Sequence, residues 1–353
     1  GSIYLPPPGP PAEDAGGYCG NLVIPVVTER PNLYFVVDAS GSMIQPMDVP
    51  SRSGYLPSRF EAARGAILDL LRAVGHRVQY GAALFPAEVP DPLDVCPPGE
   101  QVFATRPGDE VSHAIAGVDG PTLKILQRTL AARGPSGFTP TAASLAAVRP
   151  IVTALPGTSY VFLLTDGAPN CGGAPSCPIE DCIPNIDGSC SPDVNCCDPA
   201  AGAGDAVLCL DADATVAQAA ALRASGVRTF VIGMPGTREY ADRLGDLAEA
   251  GGTARAGEPR YYPVQGADDL ADTIRTLGLG VAVSCDVELG QAPPDPALVN
   301  VYLDTSLVLL DPVDGWIWTS EGSVRLVGEA CRHLQAGDAF QVQVVAGCPS
   351  VVR

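Results

Sequence analysis

One short stretch, Asp38-Ala39-Ser40-Gly41-Ser42, sets a carboxylate and two hydroxyls at alternate positions. Two further pieces lie downstream. Gly137-Phe138-Thr139-Pro140-Thr141 supplies another hydroxyl, and Thr165-Asp166-Gly167 another carboxylate. All of these donors are oxygens, and oxygen donors select hard divalent cations over zinc or copper. Each piece alone has an ordinary reading. Thr139 before Pro140 makes a helix N-cap with proline at the first helical position, and Asp-Gly after a strand makes a turn. Their order, each at the end of an element, singles them out.

The elements that must hold these residues can be read from the hydrophobic pattern. Leu33 to Val37 is an apolar run of buried-strand type ending in Asp38. A loop over 43–57 with Met47, Asp48 and Pro50 leads to an amphipathic helix from Arg59, with Phe60, Ala63, Ile67, Leu70 and Val74 on one face. Val78 to Phe85 is the next strand, followed by a loop with Cys96, a weak strand near Val102 and poorly patterned helical sequence over 110–132. Pro140 to Ala154 is a helix, and Tyr160 to Leu164 a strand that ends at Thr165-Asp166-Gly167. Past a cysteine-dense stretch come a helix over 212–224, the strand Val227–Ile232, a helix over 237–249, the strand Arg260–Val264 and a helix over 267–278. That last helix carries Leu270, Ile274 and Leu277 at helical spacing. Strands alternating with helices predict an α/β fold, a doubly wound and mostly parallel sheet. The tail alternates instead (Cys285, Val287, Leu289; Val299, Val301, Leu303) and predicts a small all-β, sandwich-like module over 281–353, with 18–30 packing into it. Residues 1–17, with their proline run, read as a stiff tether.

The three pieces, in this order and context, resemble the von Willebrand factor A domain and its metal-ion-dependent adhesion site. The resemblance covers 31–279. It implies that the first and fourth major strands lie side by side, so that Asp38 and Asp166 face one crevice at the switch point of the sheet. It further implies that Ser40 and Ser42 bind the metal directly, that Thr139 binds it in a ligand-ready state, and that Asp38 and Asp166 act largely through water. One divalent cation is expected, Mg²⁺ in the first place, with Mn²⁺ or Ca²⁺ as alternatives. Hydroxyl ligands leave much of its charge unsatisfied, and an open position then suits a carboxylate presented by a protein or surface ligand.

The chain has 353 residues, 21 basic against 40 acidic, and a net charge of −19, which excludes a nucleic-acid or anionic-membrane partner. No apolar run reaches the length of a membrane span. Twelve cysteines in a loop-rich acidic chain predict disulfides made in an oxidising compartment. Zinc fits poorly, because no Cys-x-x-Cys pair occurs and only His76, His113 and His333 are present. Cys96, Cys171, Cys177, Cys182, Cys190, Cys196, Cys197 and Cys209 form an even set expected on the metal-bearing face. Cys19, Cys285, Cys331 and Cys348 flank the α/β core as a second set, and no bridge between the sets is expected. Asp187, Asp193 and Asp198 in the 171–209 insertion are candidates for a second cation, although solvated loop acids are the simpler reading. The Thr-Asp-Gly-x-Pro-Asn-Cys string at 165–171, Gly315-Trp316 and Gly347-Cys348-Pro349 resemble cysteine-rich surface proteins of gliding myxobacteria, some of them lipoprotein adhesins.

These features predict a secreted or outer-membrane-surface adhesin or protein-binding module, monomeric and anchored through a segment preceding Gly1. Two other classes compete. One is a secreted scaffold in which the cation only stabilises the fold. The other is a metal-dependent hydrolase using Ser40 or Ser42. The hydrolase is disfavoured, because no Gly-x-Ser-x-Gly or phosphate-loop motif is present and the histidines lie far from the serines in sequence. No catalytic residue is assigned.

Overall fold

The computed structural model describes residues 3–4, 22–27, 30–88, 96–110, 118–172, 209–282, 284–336 and 341–352. It divides into two units, Pro31–Gly278 and a second one built from Gly1–Arg30 and Leu279–Arg353.

The larger unit holds a six-stranded sheet. In chain order its strands are β1 (Asn32–Asp38), β2 (Gln79–Phe85), β3 (Glu100–Pro107), β4 (Ser159–Thr165), β5 (Arg228–Gly233) and β6 (Tyr262–Pro263). Their spatial order is β3-β2-β1-β4-β5-β6, parallel except for β3, which runs antiparallel to β2 along one edge. Every residue of β1 is buried, as a central strand covered on both faces requires. Its helices are α1 (Arg59–Val74), α2 (Pro121–Ala131), α3 (Thr141–Thr153), α4 (Ala212–Ala224), α5 (Ala241–Ala250) and α6 (Ala267–Ala282), the last running on past Gly278. The sheet is therefore the doubly wound, mostly parallel one that the alternating pattern implies.

Strand alternation sorts the core. Tyr34, Val36, Val161, Leu163 and Val231 point to one face and join Leu145, Val148, Leu222 and Leu247 from α3, α4 and α5 in one apolar cluster. Phe35, Phe162 and Phe230 form a row across β1, β4 and β5, with ring centroids 5.4 and 5.0 Å apart. α1 and α6 meet at Gly278, where a Cβ would lie 2.3 Å from Leu70 Cδ2, so any larger residue there would force the Leu70 side chain to move.

Helix starts differ from expectation at two places. Pro140 is itself the N-cap of α3, with no side-chain cap bond, and Thr139 lies one residue further out. The 237–249 segment is a 3₁₀ turn, Thr237–Tyr240, followed by α5.

The second unit contains antiparallel sheets of five and four strands. Val26–Val27 pairs with Asp286–Leu289, and Leu22–Ile24 with Val342–Ala346, so both chain ends build it. It is not all-β. Gly328–Ala336 is a helix, and His333 sits on it. That segment is short and carries apolar Ala330 and Leu334 at helical spacing, a pattern that the surrounding alternation masks in sequence. Ile3–Tyr4, within the stretch expected to be a tether, pairs antiparallel with Val26–Val27.

Candidate functional site

Parallel strands deliver their carboxyl ends to one edge of the sheet, where open α/β folds place their sites. β1 ends in Asp38 and β4 ends immediately before Asp166, and the two strands are hydrogen-bonded neighbours. Asp38 is fully buried and anchored twice. Its Oδ1 accepts from the Ser40 backbone N–H at 2.8 Å, and its Oδ2 accepts from Thr165 Oγ1 at 2.7 Å. The bond to Ser40 turns the chain sharply and aims the next hydroxyls across the crevice. Ser40 Oγ lies 3.1 Å from Ser42 Oγ, and Ser42 Oγ donates to Asp166 Oδ1 at 2.8 Å. Ser40 and Asp166 are buried whereas Ser42 is exposed, so this oxygen row runs from the interior to solvent.

The Thr139 loop is held to the same edge through its backbone. Gly41 N–H donates to Gly137 O and Ser136 N–H to Ala39 O. Asn170, fully buried, accepts from Thr139 N–H through Oδ1 at 2.8 Å and returns a backbone bond to Thr139 O. The Thr139 hydroxyl makes no hydrogen bond to the other four site residues among the described residues. The structure thus joins Asp38, Ser40, Ser42 and Asp166 directly and sets Thr139 beside them.

Two contributors were not singled out in sequence. Arg59 NH1 donates to Asp166 Oδ2 at 2.7 Å in an ion pair that is nearly closed to solvent. Asn170 ties the Thr139 loop to the chain leaving β4. A signal for Arg59 did exist. Ser58 and Glu61 form a complete capping box that fixes the start of α1 and puts Arg59 at its first position. A cation there opposes the helix dipole and needs a compensating anion. Gly236 closes the back of this pair, with φ +105° and a virtual Cβ only 2.4 Å from the Asp166 carbonyl oxygen.

Burial pushes Asp38 well above the ordinary carboxylate range, and the Asp166 charge adds to this. Burial raises Asp166 as well, opposed by Arg59 and Ser42. Two buried carboxylates beside three hydroxyl side chains form an all-oxygen set, the donor chemistry of a hard cation. Among the described residues no group of three or more His, Cys, Asp or Glu could hold a metal, so a cation here would depend on the hydroxyls. Neither serine hydroxyl is hydrogen-bonded to a histidine among the described residues.

The surrounding loops are fixed from several sides. Fully buried Met43 and Met47 anchor the loop after Ser42, and Arg59 N–H donates to Gln45 O. A disulfide between Cys96 and Cys171, Cα atoms 5.6 Å apart, ties the loop after β2 to the chain just past Asp166. Cys285 bonds to Cys331, so both bridges stay within the expected sets, and Cys209 and Cys348 are each in a disulfide of their own. Cys19, Cys177, Cys182, Cys190, Cys196, Cys197, His113, Asp187, Asp193 and Asp198 lie outside the described residues. No helix among the described residues is long and apolar enough to cross a membrane.

No protein-family model matches the chain, and no curated protein sequence does. Several solved structures are similar to it. The pilus adhesin SpaC from Lactobacillus rhamnosus GG is 15% identical, with 90% of this chain and 39% of that one covered and a TM-score of 0.48. The von Willebrand factor domain of the type V pili tip protein Mfa5 from Porphyromonas gingivalis is 12% identical, with coverages of 72% and 96% and a TM-score of 0.46. A von Willebrand factor type A protein from Catenulispora acidiphila is 12% identical, with coverages of 94% and 61% and a TM-score of 0.40. The chain spans well under half the length of the Lactobacillus adhesin.

Proposed function

We propose that this chain is an extracellular adhesive or protein-binding module that grips an acidic group of its ligand through one divalent cation. Asp38, Ser40, Ser42, Thr139 and Asp166 would hold the cation, and Mg²⁺ suits them best. The observation that carries this reading is the row of Ser40 Oγ, Ser42 Oγ and Asp166 Oδ1, spaced 3.1 and 2.8 Å and leading from buried Asp38 to solvent. The remaining carboxylate oxygens are already committed, to Ser40 N–H, Thr165 and Arg59. The cation would bring Lewis acidity and an open coordination position for a ligand carboxylate. The protein's part is to hold the donors rigid and leave Ser42 facing outward. The disulfide beside the site fits an oxidising, surface-exposed setting.

The test uses Mn²⁺ as a spectroscopic probe and carboxymethyl-agarose as an acidic surface. A protein of net charge −19 is repelled by that resin, so retention in Mg²⁺ that EDTA abolishes isolates metal-bridged binding. Wild type is expected to bind Mn²⁺ and to be retained, while Ser42→Ala and Asp166→Asn do neither and keep their fold. Unfolding in EDTA would favour the scaffold reading instead. Turnover of an ester or phosphoester in Mg²⁺, lost in Ser42→Ala, would favour a hydrolase.

A further inference from the structure

Arg59 is the unexpected member of the site. A guanidinium bonded to a candidate metal-binding carboxylate looks at first like a competitor for it. The geometry says otherwise. Arg59 takes only Oδ2 of Asp166, while Oδ1 stays on Ser42 and faces the oxygen row. Its placement is enforced by the Ser58–Glu61 capping box on one side and by Gly236 on the other, where a Cβ would come 3.2 Å from Arg59 NH1. Arg59 Nε is buried without a hydrogen-bond partner, so the side chain is not held by a saturated set of its own bonds. What it supplies is charge and the orientation of Asp166.

We infer that Arg59 is a positioning and specificity-determining residue that lowers the site's affinity for the cation in order to raise the loaded site's affinity for an anionic ligand. This inference rests on the divalent-cation reading above. Two carboxylates with a divalent cation make a neutral site, which attracts an acidic ligand only weakly. With the guanidinium included, the loaded site carries one net positive charge in a poorly solvated crevice, where Coulomb terms are strong. A ligand carrying a single carboxylate would then bring it to neutrality. The same guanidinium repels the cation and draws on the Asp166 charge, so metal binding is weaker than the carboxylates alone would give. In the metal-free protein Arg59 acts as the resident counter-ion of Asp166.

A merely structural role predicts that losing Arg59 weakens everything. The charge role predicts opposite signs, and this separates the two. Mn²⁺ affinity by electron paramagnetic resonance, retention on carboxymethyl-agarose in saturating Mg²⁺, and melting temperature in EDTA and in Mg²⁺ are measured for wild type, Arg59→Gln and Arg59→Lys. Arg59→Gln is expected to bind Mn²⁺ at least tenfold more tightly and to be retained at least tenfold more weakly. Its melting temperature should fall in EDTA and recover in Mg²⁺ more than that of wild type. Arg59→Lys keeps the charge, and the single N–H contact to Oδ2 is within an ammonium's means, so it should stay within threefold of wild type in both assays. Arg59→Gln weakened in both assays, or unchanged in both, overturns the inference while leaving the cation reading intact. Should Arg59→Gln fail to fold, a loss of Mn²⁺ affinity beyond threefold in folded Arg59→Lys overturns it equally. Wild type that binds no Mn²⁺ at millimolar concentration overturns the cation reading and this inference together.

Discussion

Replacing Thr139 by alanine separates binding from stability more cleanly than any other single change. The loop carrying Thr139 is held by backbone groups: its N–H to Asn170 Oδ1, its carbonyl to Asn170 N–H, and the neighbouring Ser136–Ala39 and Gly41–Gly137 bonds. All of these survive the substitution. Thr139 is not the N-cap of α3, so no capping bond is lost. What disappears is one buried methyl and one hydroxyl. A buried CH₂-sized group contributes about 0.8 kcal/mol, and a loss near 1 kcal/mol lowers the melting temperature of a domain this size by roughly 2–4 °C. If the hydroxyl is a metal contact of the ligand-bound state, retention on carboxymethyl-agarose in Mg²⁺ should fall at least tenfold, about 1.4 kcal/mol. Calorimetric melting and resin retention, run side by side on both proteins, give the answer. Undiminished retention would refute the metal-bridged mechanism. A melting point lowered by far more than about 4 °C would show that the threonine supports the fold and that any binding loss is indirect.

Three other changes probe the surroundings of the site. Cys96 and Cys171 are 75 residues apart with no cysteine between them, so replacing both by serine should cost up to about 4.5 kcal/mol by loop-closure entropy, read from denaturant unfolding under oxidising conditions. A cost under about 1 kcal/mol would show that the unfolded chain is already constrained there. Gly236→Ala must clear a 2.4 Å approach to the Asp166 carbonyl at φ +105°, so it should destabilise by roughly 1–3 kcal/mol and weaken Mn²⁺ binding by tenfold. Native-like values for both would show that Gly236 does not shape the site. Burial, and secondarily Asp213, pushes Asp211 up to about 6, so its ionisation opposes folding above about pH 6. That penalty fades as pH falls through about 6 and is gone below the unfolded value near 3.9. Asp211→Asn should therefore melt higher than wild type at pH 8 and by only a small part of that gain at pH 4, and equal gains at both would contradict the assignment.

The α/β architecture was legible because buried parallel strands and amphipathic helices leave their periods in the residues themselves. Leu33–Val37, Tyr160–Leu164 and the Phe60–Val74 stripe needed no tertiary information to be placed, and α6 was legible by the same rule from Leu270 and Ile274. That Asp38, Ser40, Ser42 and Asp166 would meet was legible for a related reason: each closes or follows a strand, and parallel strands must bring their ends to one edge. The small unit was less so. The helix over Gly328–Ala336 is too short for its period to stand out from the strand alternation around it, and Ile3–Tyr4 forms a strand only because Val26–Val27 offers an edge.

The α3 cap turned on a single residue, because proline at 140 satisfies both a cap and a first-turn reading, and only backbone angles separate them. What the sequence by itself could not determine was the charge balance of the site. Arg59 and Asp166 are 107 positions apart, and nothing local to either residue names the other. Electrostatics acts through space at a few ångströms, so the sign and strength of the site were decided only when the sheet set α1 beside the end of β4.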